Sequence, residues 1–444
     1  MKIHCLHELA EIAPLRDRIN ALNLAAARPD PFSTYEHLEN VILRGTAFRR
    51  APRPRIWFMV AVCGDELAGF LALKETRERM FGLPVRRLDF LVGYDGDRPG
   101  IVATPERLEA VRAAIFGYLL ERRGDWDYAE FQYQDASSPL LEPLLRKQLR
   151  GCAVRDFPNW DNCTITVRWP TIQQYVDALA GKFRTNLKRQ MRKLHASGTL
   201  ELLSSSDPGC TPALLELFCA VEARSWKAAT ELALGRDPAR LDFHRGLLDS
   251  RQPMRVSILI LMLDRMPIAG FIIGGFEVGT RRNLYGIEMA YDRALHAVAP
   301  GSAILMLAMY HAISNGYASI NLLCGFGYYK SRWLADVTTL RSVLIYRVGG
   351  LPYWRRRIGD LARRWRPGAA ELENRYNAAK RTADFAAAPE TDIATGRDAG
   401  ASTDASAYAH LMEQVRRGAH ELLGPADLTR ILPFLAGTRA SRKG

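Results

Sequence analysis

The chain is predicted to fold as a mixed α/β protein of two related units, each a mixed central sheet flanked by helices. A helical and partly disordered tail should follow. Three observations lead there. Two apolar hairpins share one shape: Ile56 to Leu73 reads IWFMVAVCGDELAGFLAL, and Val256 to Gly274 reads VSILILMLDRMPIAGFIIG. Ala68-Gly69-Phe70 in the first falls on Ala269-Gly270-Phe271 in the second, and each hairpin is followed by a helix and then a strand. At 444 residues, 48% hydrophobic and 25% charged, the chain can build two or three globular domains.

The elements follow in chain order. Apolar residues in the first hairpin stop at Gly64-Asp65 and resume after it, which marks a tight turn between strands. A helix is expected from about Pro105 to Arg123, ending at Gly124, with a strand over Tyr128 to Tyr133 and a polar end at Gln134-Asp135-Ala136-Ser137-Ser138. Phe183, Leu187, Met191 and Leu194 repeat at helical spacing, so that face packs and the basic residues between them face out. Leu214 to Trp226 is a second amphipathic helix, ending in Glu222-Ala223-Arg224-Ser225-Trp226-Lys227. After the second hairpin a strand ends near Tyr291. Pro300-Gly301-Ser302 opens an apolar helix, Asn315-Gly316 closes it, and Tyr317 to Leu323 is the last strand of the repeat.

Beyond Gly350 the composition changes. Trp354, Ile358, Leu361 and Trp365 share one helical face flanked by arginines. Such a face lies on an acidic membrane surface or packs against its own domain, and packing is the commoner outcome. Thr382 to Ser406 has no periodicity and is expected to be disordered. A short helix from Tyr408 to Leu423 is a candidate docking element for a partner. The expected segments are 1–165, a degenerate first unit; 166–350, the unit that carries chemistry; 351–381, a basic amphipathic helix; 382–406, a linker; and 407–444, a helical tail.

Composition narrows the function classes. The aliphatic run Ile258 to Leu263 falls far short of the ~20 residues that span a bilayer. The first residues hold no apolar core of signal-peptide length, so a cytoplasmic location is expected, with peripheral contact at the inner membrane face as the alternative. The seven cysteines form no CxxC pair, and His4 and His7 have no matching pair elsewhere, so no metal site is expected. Net charge is +13. Lys182, Arg184, Lys188, Arg189, Arg192 and Lys193 form one basic cluster and Arg355, Arg356, Arg357, Arg363, Arg364 and Arg366 another. Such clusters attract phosphorylated cofactors, nucleic acid or acidic lipid, although a solvated helix face is the commoner meaning of either alone.

The stretch Ala290 to Trp333 holds the chemistry. A glycine turn that feeds a helix N-terminus points free N–H groups and the positive end of the helix dipole at an anion. Pro300-Gly301-Ser302 has that form, as do the starts of many ordinary helices. The first unit has Thr104-Pro105 in its place and no counterpart of the aromatic, basic loop Gly325 to Trp333. The second unit is therefore the better candidate.

Three segments together resemble the GNAT acyltransferase superfamily, in particular the branch associated with bacterial cellulose and exopolysaccharide biosynthesis, which has tandem GNAT-like units and is related to Fem-type aminoacyltransferases. They are Lys182-Phe183-Arg184-Thr185-Asn186-Leu187-Lys188-Arg189, Glu222-Ala223-Arg224-Ser225-Trp226-Lys227, and Pro300-Gly301 with Gly325-Phe326-Gly327-Tyr328-Tyr329-Lys330-Ser331-Arg332-Trp333. The resemblance covers roughly residues 31 to 348. It departs from the pattern at Ala299, where Ser is frequent, and at Asn321, where Asp is frequent. Only Gly301, Ser302 and Ala303 stand where a glycine-rich pyrophosphate loop is usual.

The resemblance implies direct acyl transfer from acetyl-CoA or another acyl-CoA, without a covalent enzyme intermediate. The cofactor would lie between the strand ending near Tyr291 and the strand starting near Tyr317, held at Gly301, Ser302 and Ala303. Backbone N–H groups around Met289 would meet the thioester oxygen. Glu288, alone among apolar neighbours, is the candidate base, because burial would raise its pKa toward neutrality; a solvent-facing edge glutamate is the alternative. Tyr329 is the candidate acid, with Tyr328 its competitor. Lys330 and Arg332 would bind an anionic acceptor or a cofactor phosphate, and Trp226 and Lys227 would line the acceptor site. His311, mid-helix, is expected to pack. The expected activity is acetyl or other acyl transfer to an amine or hydroxyl of a polysaccharide or cell-envelope precursor. The expected acceptor is a small molecule or saccharide, with contact to a polysaccharide-synthesis complex through the tail. Two alternatives stand beside it. One is aminoacyl transfer from charged tRNA; general nucleic-acid binding is less expected, since no RNA- or DNA-binding module motif is visible. The other is a catalytically inactive scaffold.

Overall fold

The computed structural model describes residues 1–49, 53–93, 96–207, 209–229, 233–249, 251–325, 328–364 and 408–418. The expectations for Trp365, for the linker 382–406 and for the end of the last helix lie outside these residues, as do the side chains of Tyr328 and Tyr329. Two compact units are present. The first is built mainly from Met1–Asn162 and the second mainly from Cys163–Leu323. Residues 338–364 join the first unit, and residues 328–337 and 408–418 the second.

In the first unit the strands are β1 (Lys2–Leu6), β2 (Arg55–Cys63), β3 (Glu66–Met80), β4 (Leu83–Phe90), β5 (Val102–Ala103), β6 (Tyr128–Gln134) and most of β7 (Cys152–Thr166). In the second they are β8 (Leu200–Ser205), β9 (Arg255–Leu263), β10 (Met266–Val278), β11 (Arg281–Tyr291) and β12 (Ser319–Cys324). A last strand, β13 (Asp336–Arg347), pairs antiparallel with β6.

The repeat is deeper than the two hairpins. Neighbouring strands run β1-β2-β3-β4-β6 in one unit and β8-β9-β10-β11-β12 in the other. In both, the first four strands are mutually antiparallel and the last pair is parallel. A parallel pair needs a crossover. The helices Leu108–Glu121 and Pro300–Ser314 provide it, close to where the sequence places them. The turns differ in chemistry. Gly64 supplies a positive φ of 61° in the first hairpin, whereas Asp264 and Arg265 adopt 48° and 66° in the second. Asp264 tolerates this because its carboxylate accepts the Thr199 N–H at 2.8 Å.

Each core lies between sheet and helices. Trp57, Leu71, Phe116 and Phe131 are buried in the first unit. In the second, Phe183, Leu187, Met191 and Leu194 of the Gly181–Ala196 helix pack with Phe271, Leu305 and Ile320, as their spacing predicts.

Two helices depart from expectation. The Leu351–Arg364 helix leaves Trp354, Ile358 and Leu361 exposed by 53, 63 and 48%, so the packed alternative is not the one adopted. The Ala409–Gly418 helix does the reverse. Leu411, Met412 and Val415 are buried, against the Thr211–Glu222 helix and β8. Among the described residues no helix is long and apolar enough to cross a membrane.

Candidate functional site

β11 organises the site. Its partner β10 pairs Ile272 with Glu288 but Ile273 with Gly286, so Ile287 is an extra, bulged residue. A bulge bends the strand and re-aims the side chains beside it. Gly286 is required here: a Cβ would lie 2.7 Å from the Phe271 ring. On the other side, β11 pairs with β12 over Asn283–Tyr285 against Ser319–Asn321, while Gly286 to Tyr291 continue with β10. The pairing of the two parallel strands therefore ends at Tyr285, just before the bulge. Met289 sits opposite Phe271 on the stretch beyond. Asn321 closes the β12 side, its Oδ1 accepting the Leu323 N–H at 2.9 Å.

The chain then turns through Arg293–Val298 to the helix start. Ala299 is left-handed (φ 50°, ψ 55°). Gly301 lies against Tyr291, where a Cβ would come within 2.7 Å of the ring. Close packing, rather than turn geometry, explains this glycine. Gly301→Ala should therefore cost about 1–3 kcal/mol by overpacking. An unchanged urea midpoint would show that Tyr291 yields instead. The anion grip is thinner than the sequence suggests. Pro300 has no N–H, and the Ser302 and Ala303 N–H groups both turn back to the Ala299 carbonyl, at 3.0 and 3.2 Å.

Glu288 lies within a buried charge cluster. Its carboxylate accepts from Lys227 Nζ and from Arg240 Nη2, and His244 Nε2 is 3.9 Å away. Lys227 also reaches Glu222 Oε1 at 3.2 Å, and the Glu222 carboxylate accepts the Leu234 N–H. Lys227 is set by the turn after the Thr211–Glu222 helix, where its N–H donates to Ser225 Oγ at 3.1 Å. Arg240 and His244 share one face of the Pro238–Leu247 helix, which Asp237 caps by accepting the Ala239 and Arg240 N–H groups. Desolvation is the largest influence on Glu288 and pushes its pKa up. Lys227 and Arg240 answer it, and the carboxyl is held below its ordinary value. The expected near-neutral base at Glu288 is thus corrected, because cations from two distant segments meet it. Burial raises Glu222. It lowers His244, whose Nδ1 meets the Arg240 carbonyl at 2.8 Å while Nε2 lacks a hydrogen-bond partner. His244 is therefore a neutral imidazole at pH 7, with its Nε2 3.9 Å from Glu288 Oε1.

The remaining expected residues divide. Trp226 is 49% exposed beside this cluster, available as a wall. Lys330 is buried and donates to the Leu322 carbonyl at 2.8 Å, which ties the loop to β12 rather than presenting a free ammonium. Arg332 stacks over Phe183, 4.3 Å from the ring centroid, and Trp333 meets the same ring edge-on. The basic helix and the aromatic loop are therefore neighbours. His311 packs, bonded to Asn315 and tilted against Tyr317. Arg240 and His244 do not stand out in the sequence. Their four-residue spacing after Asp237-Pro238 was the available signal, and it is common to many surface helices.

A tandem α/β architecture with a parallel strand pairing that ends beside a helix start defines a GNAT-type acyltransferase fold. Residues 181–331 match the family model described as the acetyltransferase (GNAT) domain. No curated protein matches the chain. Among solved structures, FemX is similar over 77% of this chain and 97% of its own, with 9% identity and a TM-score of 0.50. A tandem GNAT protein from the clavulanic acid biosynthesis pathway is similar over 78% and 98%, at 12% identity and 0.45. L-PGS from Bacillus licheniformis is similar over 73% and 94%, at 13% and 0.43. Among the described residues no group of three or more His, Cys, Asp or Glu side chains could hold a metal.

Proposed function

We propose that the second unit transfers an acyl group, most simply acetyl, from an acyl-CoA to an amine or hydroxyl of a polysaccharide or cell-envelope precursor. The end of the β11–β12 pairing at Tyr285 and Asn321 carries this reading, since beyond it the backbone of β11 is no longer in register with β12. A pantetheine arm would lie along this stretch, past Met289 on β11 toward Gly301 at the helix start. Ser302 and Ala303 contribute through position, because their N–H groups are engaged. When bound, the acyl-CoA supplies an activated thioester carbonyl. The chain's own residues supply the rest. His244 Nε2 is the proton acceptor, and Glu288 faces the imidazolium that results. Lys227 and Arg240 hold Glu288 ionised. Tyr329 remains the proposed acid for the departing thiolate, and Trp226 a wall of the acceptor side.

The test is thermal. Acetyl-CoA at a hundred times its Kd should stabilise the protein by about 2.7 kcal/mol, read as a rise in Tm. No shift with acetyl-CoA or a panel of longer acyl-CoAs would overturn the reading. Binding without CoA release in the presence of cell extract would favour the inactive scaffold.

A second reading, aminoacyl transfer from charged tRNA, is favoured by one feature. A groove of about 440 Å³ is lined by Gly181, Lys182, Thr185, Asn186 and Arg189 on the basic helix. Binding of tRNA that weakens steeply with salt, without an acyl-CoA response, would select it.

A further inference from the structure

The Leu351–Arg364 helix is mounted inside out. Pro352, Arg356 and Asp360 form one row at four-residue spacing. Pro352 is buried, and Asp360 pairs with Arg155 at 3.1 Å and with Arg356 at 3.3 Å. That polar row faces its own unit. The opposite row, Trp354, Ile358 and Leu361, is exposed by 53, 63 and 48%. Arg355 and Arg357, both exposed, border it on either side. A helix of a globular protein ordinarily turns its apolar stripe inward. Here the polar side anchors the helix and the apolar side is presented.

A second apolar projection leaves the same end of the first unit's sheet. The β3–β4 turn is Phe81-Gly82, with φ of 52° and 80°. Phe81 is 76% exposed and Leu83 58%, with exposed Arg77 and Arg79 on the strand before them. β4 begins, and β13 ends, at this end: Arg87 pairs with Tyr128, and Tyr128 with Tyr346. Asp127 ties them together, accepting the Arg86 N–H at 2.8 Å and Arg347 Nη2 at 2.8 Å. Four residues after Arg347 the helix begins.

We propose that this end of the first unit docks on an anionic bilayer surface. The helix lies in the plane of the interface, with Trp354, Ile358 and Leu361 at the headgroup–acyl boundary. Arg355 and Arg357 reach lipid phosphates on either side, and Phe81 and Leu83 make a second insertion. Charge complementarity selects this occupant. An apolar stripe bordered on both sides by guanidinium groups matches an apolar boundary beneath anionic headgroups. A nucleic acid would use the arginines and leave Ile358 and Leu361 without a role. The inference does not depend on the acyl-transfer reading, since it concerns the other unit.

The test is co-sedimentation of the full chain with phosphatidylcholine vesicles, alone or with phosphatidylglycerol as about a third of the lipid. Binding is expected to the anionic vesicles only, weakening as salt rises. Ile358→Ser should reduce it about tenfold or more. Arg355→Gln and Arg357→Gln should each reduce it about fivefold. Phe81→Ser, which leaves the helix untouched, should also reduce it. These side chains are exposed, so a circular dichroism melt should remain that of the parent. The proposal is overturned by equal binding to neutral and anionic vesicles, or by binding that Ile358→Ser leaves intact. It is also overturned if vesicles do not bind and the chain is a dimer that Ile358→Ser dissociates, which would assign the face to a second copy.

Discussion

Replacing Glu288 with alanine should destabilise the second unit by about 3–5 kcal/mol. The carboxylate is the shared partner of Lys227 and Arg240, whose side chains are 8 and 9% exposed. Removing it takes from two buried cations the carboxylate they share, and their desolvation is then less well compensated. Glu288→Gln keeps the shape but not the charge, so it should lose most of the same stability. Urea denaturation of both variants measures this. If Glu288→Gln were as stable as the parent, the cluster would be held by packing rather than by charge.

The same cluster sets a pH dependence. The Glu288 pKa is lower folded than unfolded, so its contribution is complete above the ordinary glutamate value of about 4.3 and is lost as pH falls through the folded value. His244 is also lowered on folding. Below its ordinary value of about 6.5 the unfolded chain takes a proton that the native site resists, so stability falls in the same direction. Glu222, raised by burial, acts oppositely and is more favourable when protonated. Acidification from pH 7 should therefore lower Tm in two stages, the first near neutrality and the second in the carboxylate range. His37, which burial lowers to about 3, adds to the first stage, so His244→Gln should shrink that stage and leave the second.

Much of the fold was legible because its signals are local. The hairpins are apolar runs broken by a turn, and the Phe183–Leu194 stripe and the Pro300 helix start need no partner to be read. The short edge strand β1 is not legible in the sequence because it alternates weakly, with residues exposed or half-buried throughout. The exposed face of the Leu351–Arg364 helix was visible as a stripe, but sequence does not say which side of a helix is anchored. That was decided by Arg155, a residue far upstream that pairs with Asp360. Glu288 stood out as a lone charge in an apolar strand. The sign of its pKa shift did not, because Lys227 and Arg240 arrive from segments 61 and 48 residues away. A burial argument made from one strand assigns the desolvation and omits the cations that answer it.

His244 is where the chemistry of the site should be most sensitive. With Nδ1 donating to the Arg240 carbonyl, Nε2 is the basic atom, and it faces the carboxylate of Glu288 at 3.9 Å. A proton accepted there from an amine or hydroxyl nucleophile is stabilised by that carboxylate, which Lys227 and Arg240 keep ionised at neutral pH. His244→Gln retains a polar side chain of similar reach but cannot take the proton. Its kcat should fall by about 10²–10⁴-fold, the usual contribution of general-base catalysis, while acyl-CoA binding stays near the parent value. The dependence of rate on pH separates this from mere disruption. The parent should lose activity as His244 becomes protonated, below neutrality, and the variant's residual rate should lack that limb. A variant that lost acyl-CoA binding and kcat together, with an unchanged pH profile, would make His244 a packing residue and return the search for the base to the acceptor side of the cleft.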